Sequence, residues 1–213
     1  IPLEGLWKFN VVQVKITVSP NSYPSLLYNA MVNPLVPYAF QGVLWYQGEA
    51  IVWRAKQYKK AFPLMINDWR TKFKQGDFPF YYCQIAPYDY SIITEKGKEV
   101  INSAYLREAQ AQVEHRVSNS GMAVLLDAGM EKGIHPAKKQ AAGERLALLA
   151  LTKTYGIEGV NGESPYYKSI EIKNDTIVVS FERANMWISG KNCFESKNFQ
   201  VAGEDKVFYP AKA

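Results

Sequence analysis

Cysteine and histidine are both scarce, with two of each in 213 residues. Cys83 and Cys193 sit in stretches that read as different elements, so the chain has no disulfide framework and the two read as small core residues. No Cys/His spacing suits zinc, and neither a P-loop nor a Gly-x-Gly-x-x-Gly turn occurs. No apolar run approaches the roughly 20 residues that span a bilayer, so we expect no membrane span. A large charge excess is also missing. The formal balance is +5, and Lys56, Lys59, Lys60, Arg70, Lys72 and Lys74 are interleaved with acids and aromatics. That is the texture of a solvated helix face, so no nucleic-acid partner is expected. The chain opens on Ile1 rather than methionine, from which we expect a processed product or a fragment.

What is present is an apolar fraction of 47%, enough for a real core. The stretch that organises the rest is Gly42-Val43-Leu44-Trp45-Tyr46, an uncharged run that reads as a strand buried in a parallel sheet. It breaks off into Gln47, Gly48 and Glu49. An amide, a glycine and a carboxylate are thus delivered at a strand's carboxyl end, where open α/β sheets bind ligands. An ordinary polar strand end has the same look.

Around it the pattern alternates. Residues 55–73 carry Tyr58, Phe62, Met65, Trp69 and Phe73 at helical spacing, with Pro63 expected to kink or restart the helix. Phe78 to Ile85 reads as a second buried strand. Asn102 or Ser103 caps a helix with Leu106, Ala109 and Val113 inward. Met122 to Leu126 reads as a third strand, and Pro136 opens a helix through about residue 154. Such alternation means a parallel sheet with right-handed crossovers. Beyond Gly156 the texture is β, with hairpins centred on 173–175 and near Gly203. Residues 1–19 contain an alternating segment expected to belong with that β-rich part. The expected divisions are therefore 1–19, 20–157 and 158–213.

Of the two histidines, His115 reads as a solvated helix residue. His135 stands before Pro136, after a strand, at what reads as a helix start whose dipole disfavours imidazolium. A neutral imidazole there suits a general base; a simple capping histidine fits equally well. Gln47 and His135 on one sheet edge make two parts of an acyl-transfer site, an amide for a developing oxyanion and a proton acceptor. The nucleophile is missing: Ser22, Ser25, Ser91, Ser103, Ser118 and Ser120 all lack a tight, glycine-flanked turn after a strand. Glu49 as a glycosidase acid would need a second carboxylate, with Asp127 or Asp89 the nearest candidates.

Several ordered motifs carry a resemblance: Tyr28-Asn29-Ala30-Met31-Val32-Asn33-Pro34-Leu35, the block from Gly42 to Glu49, Phe62 to Arg70, Gly76 to Phe80, Leu106 to Gln110, and Ile134 to Gln140. Together they resemble the bacterial sialate O-acetylesterases of the SGNH-hydrolase superfamily, and Phe199 to Ala213 resembles that family's β domain. The resemblance implies a partial flavodoxin-like α/β fold, a three-layer parallel sheet with an appended β-sandwich-like region. It implies removal of O-acetyl groups from sialic acid or a related sugar through an acyl-serine, without a cofactor, in a periplasmic or secreted setting. His135 is the implied base, Gln47 an oxyanion donor, and Trp45, Gly48 and Glu49 the implied substrate-binding residues. The family's Gly-Gln-Ser-Asn nucleophile block does not occur in these residues. An upstream segment or a second chain is the expected partner completing the sheet. The family's aspartate shortly before the histidine is replaced by Lys132 and Gly133, leaving Asp127 or Glu131 to orient the base. A non-catalytic carbohydrate-binding or interaction module derived from such an esterase is the competing expectation.

Overall fold

A computed structural model describes residues 19, 22–94, 96–99, 102–184, 196 and 199–212. The expected strand within 1–19 and Cys193 lie outside the described residues.

The parallel sheet expected from the apolar runs is present. Strands β1 (Val43–Trp45), β2 (Phe80–Cys83) and β3 (Ser120–Ala123) run parallel in the order β1-β2-β3. Register pairs Leu44 with Tyr81 and Tyr82 with Met122. Helix α1 (Ala55–Phe73) and helix α2 (Ala104–Ala111) link the strands. Both pack on one face, where Phe62, Ile66, Leu106 and Val113 meet Phe80 and Tyr82. Helix α3 (Lys139–Leu149) covers the other face through Ala142, Leu146 and Leu149 against Tyr81, Cys83 and Leu125. Three layers result, as expected of an α/β sheet covered on both faces.

Local details depart from expectation at four points. Helix α1 runs unbroken through Pro63. Proline withdraws the N–H that the Lys59 carbonyl would accept, and the Arg116 guanidinium donates to that carbonyl at 3.4 Å instead. The third strand begins at Ser120, two residues before the apolar run, because Gly121 lets it pass the Tyr81 ring. Its expected end is also too late: Leu126 lies past the strand and is exposed. Helix α3 begins at Lys139, three residues after Pro136. Proline's fixed φ suits extended segments as well as a helix start, and here Pro136 is buried in a non-helical lead-in.

Buried Arg70 fastens the helix layer to the sheet. Its guanidinium donates to the carbonyls of Phe78 (2.7 Å), Ser118 (2.9 Å) and Asn119 (3.3 Å), at the starts of β2 and β3. The β-rich part is antiparallel. β4 (Tyr166–Lys173) pairs with β5 (Thr176–Glu182), and β6 (Gln200–Ala202) with β7 (Phe208–Pro210). The first hairpin is tied to the α/β unit by Arg183, which pairs with Glu114 at 3.3 Å and Glu163 at 3.5 Å.

Candidate active site

The carboxyl ends of the three strands form one edge, and two chain reversals there are stitched together. The Met130 amide donates to the Pro87 carbonyl (3.2 Å), and the Asp89 amide to the Glu131 carbonyl (3.0 Å). A Cβ on Gly129 would stand 2.3 Å from the Pro87 oxygen, so only glycine allows this approach. The 128–135 loop is thereby held against the end of β2, and it carries His135 toward β1.

His135 and Gln47 meet there. They line one cleft of about 350 Å³ with Tyr46, Glu49, Ala50, Ile134 and Lys139. Both side chains are exposed to solvent and Glu49 is half-buried. His135 is reached from a loop and not from the helix terminus, so the dipole argument for its neutral form loses force: α3 starts four residues later.

The glycine between Gln47 and Glu49 has a structural task. Gly48 is buried at φ 156°, a conformation side-chain-bearing residues rarely adopt. A Cβ there would approach the Ile85 Cγ2 to 2.8 Å and the Gln110 Nε2 to 3.1 Å. Gln110 is fully buried and stitches the end of β2: its Oε1 accepts from the Ile85 amide (2.9 Å) and its Nε2 donates to the Cys83 carbonyl (3.3 Å). Gly48, expected to bind substrate, thus lies against this amide and is not among the residues lining the cleft.

Trp45, also expected to bind substrate, packs into the helix layer. Successive residues of a strand point to opposite faces. Val43 and Trp45 turn to the α1 side, where the indole packs near Phe62 (6.1 Å), Trp69 (5.9 Å) and Phe80 (6.2 Å). The neighbouring Tyr46 faces the cleft in its place.

The expected orienting acids are engaged elsewhere. Asp127 accepts two hydrogen bonds from Arg145, at 2.6 and 2.7 Å. That pairing holds its carboxyl down at about 2. Glu131 is exposed and contributes its backbone carbonyl to the loop stitching. Neither carboxylate hydrogen-bonds His135 among the described residues.

Two cleft residues escaped the sequence reading. The Lys139 ammonium sits 4.5 Å from the Tyr46 ring centroid, a cation–π contact. It has no carboxylate within salt-bridge distance among the described residues. The signal was there, since Lys139 falls in the motif around His135, but only the fold brings it over Tyr46. In the core, burial and then Glu49 push the Cys83 thiol up to about 12. The same two causes, in the same order, push the Tyr90 hydroxyl to about 12. Neither the thiol nor the phenol is therefore ionised near neutral pH. Among the described residues no cluster of His, Cys, Asp and Glu suits a metal ion.

Comparison with known proteins matches residues 15–149 to a family described as carbohydrate esterase, sialic acid-specific acetylesterase. Mouse sialate O-acetylesterase is 31% identical over 181 residues, covering 79% of this chain and 33% of its own length. The human sialate O-acetylesterase is 31% identical over 168 residues, 73% of this chain and 32% of its own. A crystal structure of a carbohydrate acetylesterase from Xanthomonas citri superposes with a TM-score of 0.77 at 33% identity, covering 90% of this chain and 44% of that one. The chain therefore spans about a third of the length of the curated relatives it matches.

Proposed function

The chain belongs to the sialic acid-specific acetylesterase family of carbohydrate esterases, and from that premise we propose that it serves to remove O-acetyl groups from sialic acid or a related sugar. The observation that carries this is the meeting of Gln47 and His135 in one cleft at the carboxyl edge of the sheet. In this scheme a serine hydroxyl attacks the acetyl carbonyl while His135 takes its proton. The Gln47 amide donates to the oxyanion as negative charge develops on it. The same proton then goes to the departing sugar oxygen. Water, deprotonated by His135, releases acetate from the serine.

The serine comes from outside these 213 residues in our reading. Support lies in the absent Gly-Gln-Ser-Asn block and in β1, which pairs only with β2 among the described residues. Glu49 and Lys139 serve as sugar-contacting groups, Lys139 toward a sugar carboxylate. We place the working protein in the periplasm or outside the cell. Among the described residues no helix is long and apolar enough to cross a membrane.

A second reading is a sugar-binding module without turnover. It is favoured by Asp127 being held by Arg145, which leaves His135 without a carboxylate partner among the described residues. Acetate release from O-acetylated sialic acid separates the two. We expect none from this chain alone and turnover when the serine-bearing upstream segment is supplied. In that complete form, His135→Ala should lower kcat by about a thousandfold or more, and Gln47→Ala by roughly 100- to 1,000-fold. Strong turnover by the 213 residues alone would remove the idea of an external serine. Sugar binding without acetate release in the complete form would favour the binding module.

A further inference from the structure

A second cavity, of about 740 Å³, is separate from the cleft that holds His135. It is a groove where the turn at Glu49–Arg54 meets the start of α1 and the outer side of α2. Two aromatic residues on its wall are conspicuously uncovered. Trp53 is 57% exposed and Tyr105 is 64% exposed. Neither can be attributed to the core, since their neighbours Val52 and Leu106 take the buried positions. Exposed tryptophan and tyrosine offer an apolar ring face together with a polar tip. That combination suits the C–H face and hydroxyl rim of a sugar ring.

The polar lining completes the match. Gln112 donates to the Glu108 carboxylate at 2.9 Å, and the Asn102 side-chain oxygen accepts from the Ala104 amide at 3.0 Å. Each of these amides is anchored through one end, and its other end remains available to a hydroxyl. Arg54, Lys56 and Lys59 line the groove together with Glu99 and Glu108, an excess of a single positive charge. This is too little for a phosphate backbone, which needs a row of uncompensated cations. It is enough for one carboxylate. The size also falls within the range of about 300–1,000 Å³ for small-ligand sites.

The groove is continuous in chain with the cleft. The same turn presents Glu49 and Ala50 to the cleft and Trp53 and Arg54 to the groove. At about 2 Å of rise per residue in such a turn, the two ends are roughly 8 Å apart. We propose that this groove is a second carbohydrate subsite, which holds the sugars flanking the residue presented to the cleft. The ligand class is a sialylated oligosaccharide rather than a free monosaccharide. That the ligand is sialylated, and which end enters the cleft, rest on the esterase reading above; the existence of the subsite does not.

The test uses the full chain and two unacetylated probes, sialyllactose and free N-acetylneuraminic acid. Affinities are read by ligand-observed NMR titration. Sialyllactose should bind about tenfold more tightly than the monosaccharide, with saturation transfer to its lactose protons. Trp53→Ala and Tyr105→Ala should each remove most of that gain, and an unchanged thermal midpoint shows that the variants fold. Trp53-dependent trisaccharide binding supports the subsite even if no acetate is ever released. Equal affinities for the two probes, no binding of sialyllactose, or a gain indifferent to both substitutions overturns it.

Discussion

At the scale of single residues, the decisive fact is what each carboxylate and ammonium near the cleft already touches. Asp127 is bound to Arg145, and its depressed pKa is a record of that bond. The stabilising contribution is full above the ordinary carboxylate value of about 4 and is lost as the pH falls toward 2. The Asp127 side chain is 68% exposed, so solvent screening limits the pair to about 1 kcal/mol or less. Urea unfolding of Asp127→Asn should therefore show a small deficit at pH 6 that closes near pH 2. Its esterase activity in the complete form should stay within about tenfold of wild type, whereas an aspartate orienting the base would cost several orders of magnitude. Lys139 is the opposite case, an ammonium in the cleft against the Tyr46 ring, with no ion-pair partner among the described residues. Replacing it in Lys139→Gln should weaken binding of free N-acetylneuraminic acid about tenfold, the worth of one charge-assisted hydrogen bond. Binding of a neutral N-acetylhexosamine should change little, and titration of both sugars checks this.

At the scale of elements, the cleft depends on how the strand ends are held. β1 contributes only three paired residues, and its continuation turns sharply at Gly48 over the Gln110 amide. That amide in turn fixes the end of β2. Gly48→Ala brings both a positive φ and a Cβ into contact with Ile85 and Gln110. The expected loss is about 2 kcal/mol or more, readable as a lower urea midpoint, with displaced amide resonances at Gln47 and Glu49. A substitution tolerated without loss of stability would mean that the turn re-forms easily and does not position the cleft. The sequence located this turn because an apolar run ending in a glycine and two polar residues is a local pattern. It did not reveal the buried amide below, since Gln110 looks like one more polar residue on a helix until the helix is docked.

At the scale of the whole molecule, the sheet is unfinished on the side of β1 among the described residues. Leu44 is 63% exposed, and the segment before it exposes Leu27, Met31 and Leu35. Helix α3 covers β2 and β3 but leaves the outer face of β1 bare, so the layer built by Tyr81, Leu125 and Leu146 stops short of Leu44. An uncovered apolar edge is a template for further strand pairing. The chain by itself should self-associate with rising concentration in sedimentation velocity. Leu44→Lys, which places a charge on the bare face of that edge strand, should shift it toward the monomer; an unchanged distribution would place the contact elsewhere.

Local rules account for what the chain alone determined. Apolar runs, helical periodicity and strand ends needed no long-range information, so the order of strands and helices, the hairpins after Gly156, and Gln47 and His135 on one sheet edge were all legible. Tertiary structure decided everything that depends on which face of an element finds a partner. Strand parity sent Trp45 into the helix layer and Tyr46 to the cleft once α1 and α3 had taken their sides. Docking of α3 gave Asp127 to Arg145 and laid Lys139 over Tyr46. Those pairings join positions 18 and 93 residues apart in the chain, and no periodicity encodes contacts that exist only after the layers close.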